Sequence, residues 1–91
     1  MPAIRLRVEG RVQGVGFRWY VRENARRHGL SGWVRNLTDG SVELIADGPA
    51  ETLAQFVERV RIGPAGASVR NLMSQALEDV EELPFPFTVL K

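Results

Sequence analysis

Polar and apolar residues alternate strictly from Ile4 to Glu9, with Ile4, Leu6 and Val8 on one side and Arg5, Arg7 and Glu9 on the other. That period of two predicts a half-buried strand over residues 4–9. The period then lengthens. Arg18 to His28 reads as a helix that turns Trp19, Val21 and Ala25 toward a core, places Arg26, Arg27 and His28 in its last turn and ends at Gly29 as C-cap. β-favouring residues return from Leu30 to Leu37 and again from Val42 to Ala46, separated by Thr38-Asp39-Gly40-Ser41. An Asp-Gly pair between two such runs predicts a hairpin with a two-residue turn. Asp47-Gly48-Pro49 opens a second helix, in which Leu53, Phe56, Val57 and Val60 follow i, i+3, i+4, i+7 spacing until Ile62-Gly63-Pro64 stops it. Val69 to Ala76 is read as a fourth strand despite poor apolar spacing, and Phe85, Phe87 and Val89 suggest a short final strand.

The order β-α-β-β-α-β predicts an α+β, ferredoxin-like split βαβ fold, a four-stranded antiparallel sheet with two helices on one face. The 91 residues are expected to form a single domain, 1–91, free of repeats and linkers. At this length roughly 60–65% of the unfolded chain's surface can be buried, enough for one modest core. Zero cysteines exclude disulfides and thiolate metal sites, and the absence of a long apolar segment excludes a signal peptide or membrane span. The expectation is a monomer in the cytoplasm. A net charge of +1 lacks the positive field of a nucleic-acid binder. Eleven arginines stand against one lysine, a bias that reflects codon usage more often than anion recognition. The fold alone hosts many activities, so the site must name one.

The candidate chemistry lies between the first strand and first helix, in Gly10-Arg11-Val12-Gln13-Gly14-Val15-Gly16-Phe17-Arg18. Glycines let successive backbone N–H groups turn toward one point, the helix N-terminus adds partial positive charge, and Arg18 adds a planar fork of donors that fits phosphate. Other phosphate motifs fail on spacing. A Walker loop closes on Lys-Ser or Lys-Thr, whereas the only lysine is Lys91. A Rossmann fingerprint places glycine three residues after Gly16, where Trp19 stands. A cysteine phosphatase loop places cysteine six residues before its arginine, where Val12 stands.

A second cluster, Gly32-Trp33-Val34-Arg35-Asn36-Leu37, contains a poor strand former, Asn36. Taken alone, an asparagine here is read as preparing the hairpin turn two residues later. Period-two alternation also puts it on the face of Val34, so an inward Val34 means an inward amide that must find partners. Beside an anion loop, the second reading gains weight.

Together, Gly10 to Arg18, Gly32-Trp33-Val34-Arg35-Asn36 and Asp39-Gly40 closely resemble the acylphosphatase family, over nearly the whole chain. The resemblance implies hydrolysis of acyl phosphates, mixed anhydrides of carboxylic and phosphoric acid, without metal or cofactor. It implies that the backbone amides of Gln13, Gly14, Val15, Gly16, Phe17 and Arg18 cradle the phosphate, that Arg18 clamps it, and that Asn36 positions the attacking water. These roles suit the reaction. The leaving group is a stable carboxylate anion, so little general-acid help is needed and fixing and neutralising the phosphoryl group suffices. The family commonly closes its last strand with a basic residue and an aromatic, where this chain has Phe87-Thr88-Val89-Leu90-Lys91, away from both motifs in sequence.

Other residues take plainer readings. His28 suits capping of its helix, Glu23 a solvated helix carboxylate, and Glu78, Asp79, Glu81 and Glu82 a charged loop rather than a metal site. Trp19, Tyr20 and Trp33 pack at the core or rim, with stacking on an aromatic acyl group as the alternative. Gly14 and Gly16 permit special backbone angles, a side chain at Gly14 being the more damaging of the two. Two other functions compete: a non-catalytic acyl- or carbamoyl-phosphate-binding module, as in acylphosphatase-like domains of larger proteins, and RNA binding through aromatics near Val15 to Tyr20. The near-neutral charge argues against RNA, and that segment leaves a strand instead of forming one. The expected partner is a small-molecule acyl phosphate, with neither nucleic acid nor membrane.

Overall fold

The computed structural model describes residues 3–78 and 80–90. The elements run β1 (Ala3–Arg11), α1 (Phe17–Arg27), β2 (Ser31–Asn36), β3 (Val42–Asp47), α2 (Ala50–Ile62), β4 (Ser68–Leu77) and β5 (Thr88–Val89). The sheet order is β4-β1-β3-β2-β5. The four longer strands pair antiparallel, as the ferredoxin-like pattern requires, but β5 joins the free edge of β2 in parallel, so the sheet is five-stranded and mixed. No helix among the described residues is long and apolar enough to cross a membrane.

Alternation along β1 sends Leu6 and Val8 beneath the helices, where they pair in register with Leu44 and Val42 of β3. Val34 of β2, Phe17, Val21 and Ala25 of α1, and Leu53, Phe56 and Val60 of α2 complete one buried cluster. The buried stripe of α1 is Phe17, Val21, Asn24 and Ala25. Because the helix begins at Phe17 rather than Arg18, Phe17 takes the core position expected of Trp19. Two residues on, at 100° each, Trp19 faces away and is 60% exposed. His28 caps the helix, its Nδ1 donating to the Asn24 carbonyl at 2.7 Å, while Gly29 follows in a left-handed conformation. Tyr20 ties α1 to α2 by donating its hydroxyl to the Arg59 carbonyl at 2.7 Å.

Two expectations are corrected, and the irregularity of a third element is explained. The hairpin turn encloses three residues, 38–40, within the Leu37–Ser41 pair, not two: Leu37 N donates to Ser41 O and Gly40 N to Leu37 O, with Gly40 at φ 94°. Asp39 favours this wider turn because its carboxylate accepts from both the Ser41 amide and hydroxyl. The poor spacing of β4 has a cause in the ladder. Glu9 pairs with Asn71 but Gly10 with Val69, leaving Arg70 as the extra residue of a bulge. Alternation changes phase there, so half-buried Val69 and Leu72 stand three apart and both pack against the core. Gly10 is required at that point, since a Cβ would run into the Ser68 carbonyl. Lastly, the final strand is Thr88–Val89 only. Phe87 is buried in the core, and Phe85 is 70% exposed.

Candidate active site

The segment between β1 and α1 is anchored at both sides, by the buried Val12 and by Val15 packed against the core. Between and after these anchors, Gly14 and Gly16 adopt φ of 76° and 74°, whereas no other residue type in the described chain has positive φ. Left-handed residues alternating with ordinary ones turn successive N–H groups to one side of the loop. A Cβ at either glycine would meet open space, so the two positions are equivalent in this respect and Gly14 is not singled out. Gly16 is also the N-cap of α1. No side chain caps that helix end and its first turn holds no acidic residue, leaving the positive pole uncompensated.

A cavity of about 350 Å³ opens here, lined by Val12, Gly14, Gly16, Phe17, Arg18, Trp19, Arg22, Asn36 and Val89. Five of the seven residues expected at the site therefore share one cavity. The other two serve it from behind. The Val15 side chain packs on the core, and the Gln13 amide donates to the carbonyls of Leu37 at 2.8 Å and Ser41 at 2.9 Å. That side chain fastens the loop to the base of the β2–β3 hairpin, one residue beyond Asn36.

Asn36 lies on the inward face of β2, two residues after the fully buried Val34, and its Oδ1 is buried with no hydrogen-bond partner. An unpartnered buried acceptor is costly, of order 1–3 kcal/mol, and rare enough to mark a place where another molecule completes the bonding. Its amide is thus not spent on the turn, where Asp39 does the bonding instead. Arg18 donates to the Leu90 carbonyl at 3.4 Å and has no side-chain carboxylate partner among the described residues. Arg22, one turn along, is paired with Glu23 at 3.1 Å.

The chain's C-terminal part proves to be adjacent to the motifs rather than away from them. Leu90 N donates to Val34 O at 2.8 Å, and this pairing brings Val89 into the cavity wall and the Leu90 carbonyl to Arg18. Val89 carries no local sign of this role. Arg22 had one, its i+4 spacing from Arg18 on a helix. Of the remaining aromatics, Trp33 lies on the helix-free face under the Arg35 guanidinium, 5.0 Å from the ring. Glu78, Glu81 and Glu82 are exposed, and Asp79 lies outside the described residues. No group of three or more acidic or histidine side chains among the described residues is arranged to hold a metal ion.

A glycine-bent loop at a bare helix N-terminus, an arginine beside it and an inward amide share one cavity of an α+β, ferredoxin-like domain. The acylphosphatase family model matches residues 4–86. An acylphosphatase of Rhizobium etli is 45% identical over 87 residues, covering 96% of this chain and 92% of that one. The crystal structure of acylphosphatase from Bacillus subtilis superposes with a TM-score of 0.95 at 38% identity, covering all of both chains. The fold also matches 12% of the length of HypF from T. kodakarensis, at TM-score 0.86 and 30% identity. The chain belongs to the acylphosphatase family, hydrolases that act on acid anhydrides.

Proposed function

We propose that this chain hydrolyses small-molecule acyl phosphates by direct attack of water on phosphorus. The backbone amides of residues 13–18 receive the phosphoryl oxygens, with the N-terminus of α1 and Arg18 neutralising their charge. Asn36 holds the water in line. The observation that carries this reading is that Asn36, whose buried Oδ1 has no hydrogen-bond partner, lines the same cavity as Gly14, Gly16 and Arg18. An oxygen that only accepts is suited to take a proton of the water in a hydrogen bond and aim its lone pair at phosphorus.

As the water oxygen bonds to phosphorus, the bond from phosphorus to the bridging oxygen breaks and the carboxylate leaves with the electron pair. One water proton passes to a phosphate oxygen, so no side-chain base is required. Positioning and charge stabilisation then supply the rate enhancement. Neither metal nor cofactor enters any step.

The test is hydrolysis of acetyl and benzoyl phosphate with and without a chelator. In heavy-oxygen water the label enters phosphate; label in the carboxylate means acyl transfer and defeats the proposal, as does loss of activity on chelation for its metal-free part. Asn36→Ala lowers kcat by about a hundredfold, the scale of a lost positioning donor or acceptor, with phosphate inhibition nearly unchanged. An intact rate removes the water-positioning role. Binding without turnover favours the phosphate-binding module, a reading that the likeness to one part of HypF keeps in play.

A further inference from the structure

Four residues of the cavity lining, Val12, Trp19, Arg22 and Val89, receive neither phosphate nor water, and of these Val12 is buried in the core. In-line displacement sends the leaving carboxylate away from the incoming water, so the acyl group must lie against lining that neither phosphate nor water uses. Trp19 and Arg22 are three residues apart on α1 and present one helix face beside Arg18, whereas Phe17 and Val21 point into the core. The two rim residues differ in what they have to offer. The charge of Arg22 is engaged by Glu23, through Nε at 3.2 Å and Nη2 at 3.1 Å. The Trp19 indole is 60% exposed and makes no ring or cation contact among the described residues. The chain's other tryptophan, Trp33, is covered by the guanidinium of Arg35.

We infer that Trp19 is the platform of an acyl-group subsite, walled by Val89, that selects acyl phosphates with a flat apolar or aromatic acyl group over small or anionic ones. Resting on the proposed hydrolysis at the same cavity, this assigns the part of the substrate that the phosphate cradle leaves unread. A broad exposed indole gains most from a flat partner stacked on its face. With Arg22 already paired, a carboxylate on the acyl group finds no free cation at the rim among the described residues.

Non-hydrolysable phosphonates read the subsite without turnover. Phenacylphosphonate presents a benzoyl group and acetonylphosphonate an acetyl group, on the same phosphonate head. Calorimetry on the intact chain is expected to give phenacylphosphonate about tenfold tighter binding than acetonylphosphonate, the ratio that one good aromatic contact supplies. Trp19→Ala brings the two within about twofold of each other, Trp19→Phe keeps most of the preference, and inorganic phosphate binds all three proteins alike. Equal weakening of both phosphonates by Trp19→Ala overturns the inference, as does an unchanged ratio or tighter binding of the carboxylated analogue 4-oxo-5-phosphonopentanoate than of phenacylphosphonate. The two readings fail separately. A wild-type chain that shows the predicted ratio but turns over no acyl phosphate refutes hydrolysis alone, and turnover with no ratio refutes the subsite alone.

Discussion

Arginine serves opposite ends on the two sides of this sheet. On the helix-free face, Arg5 and Arg35 both reach Glu43, at 3.4 and 2.8 Å, and Arg7 meets Asp39 and, at 3.9 Å, Glu9. Each of these three cations is answered by a carboxylate from a neighbouring strand or turn. At the cavity, Arg18 has among the described residues only a backbone carbonyl at 3.4 Å, beside a helix end with no acidic residue in its first turn. A paired arginine holds surface strands in register for little energy. An arginine without a carboxylate keeps its donor fork for an anion that arrives from solution.

The sharpest way to break this contrast is to remove one arginine from each side. Arg18→Ala is expected to lower kcat/KM for benzoyl phosphate by about a thousandfold while leaving the urea midpoint nearly unchanged. Arg5→Ala leaves turnover intact and costs about 1 kcal/mol or less. Comparable activity losses in the two variants would end the distinction.

Gln13 comes next, because it fastens the cavity to the hairpin whose outer side carries Asp39. Gln13→Leu removes both donors to the Leu37 and Ser41 carbonyls and is expected to cost about 1–3 kcal/mol in denaturant unfolding. It also lowers kcat more than it weakens phosphate binding, since the cradle and Asn36 then move apart. A change in stability with kcat preserved would show that the tether serves folding alone.

A smaller effect is expected at Gly16. Gly16→Ala meets no clash, yet forcing a left-handed angle on alanine costs about 1–2 kcal/mol, and Gly14→Ala the same by the same argument. Unequal stability losses from the two, measured by urea titration, would mean that something beyond backbone angle separates them.

The smallest effect belongs to the paired face. The Ser41 hydroxyl and amide, and then Arg7, hold the Asp39 carboxyl below its ordinary value of 3.8. A carboxyl with a lowered folded-state pKa stabilises the fold fully above that ordinary value and loses the contribution as the pH falls through the lower one. Urea midpoints taken above and below 3.8 should therefore show a slight acid loss that Asp39→Asn abolishes.

Much of this was legible in the chain itself. Alternation along β1 and the i, i+3, i+4, i+7 stripe of α2 report a local periodicity that burial on one side imposes, so they survive without knowledge of the partner surface. Glycine spacing in the loop was equally readable, since positive φ is a local property. Where the reading slipped, the deciding term was not local. Trp19 and Phe17 are both large and apolar, and only the true start of α1 settles which one the core receives. The bulge at Arg70 disturbs the pattern of β4 through a register shift opposite Glu9 and Gly10 of β1, about sixty residues earlier in the chain.

By itself, then, the sequence determined the element order, the antiparallel core of the sheet and the glycine-bent loop ending in Arg18, because these follow from periodicity, glycine backbone freedom and side-chain chemistry. Only the tertiary structure decided that Asn36, with a buried and unpartnered oxygen, lines the same cavity, that Gln13 ties loop to hairpin, and that Val89 and Leu90 close on the motifs from the far end of the chain. Those outcomes depend on strand pairing: β5 lies parallel along β2, the strand carrying Asn36, and no local pattern encodes which edge a two-residue strand will find.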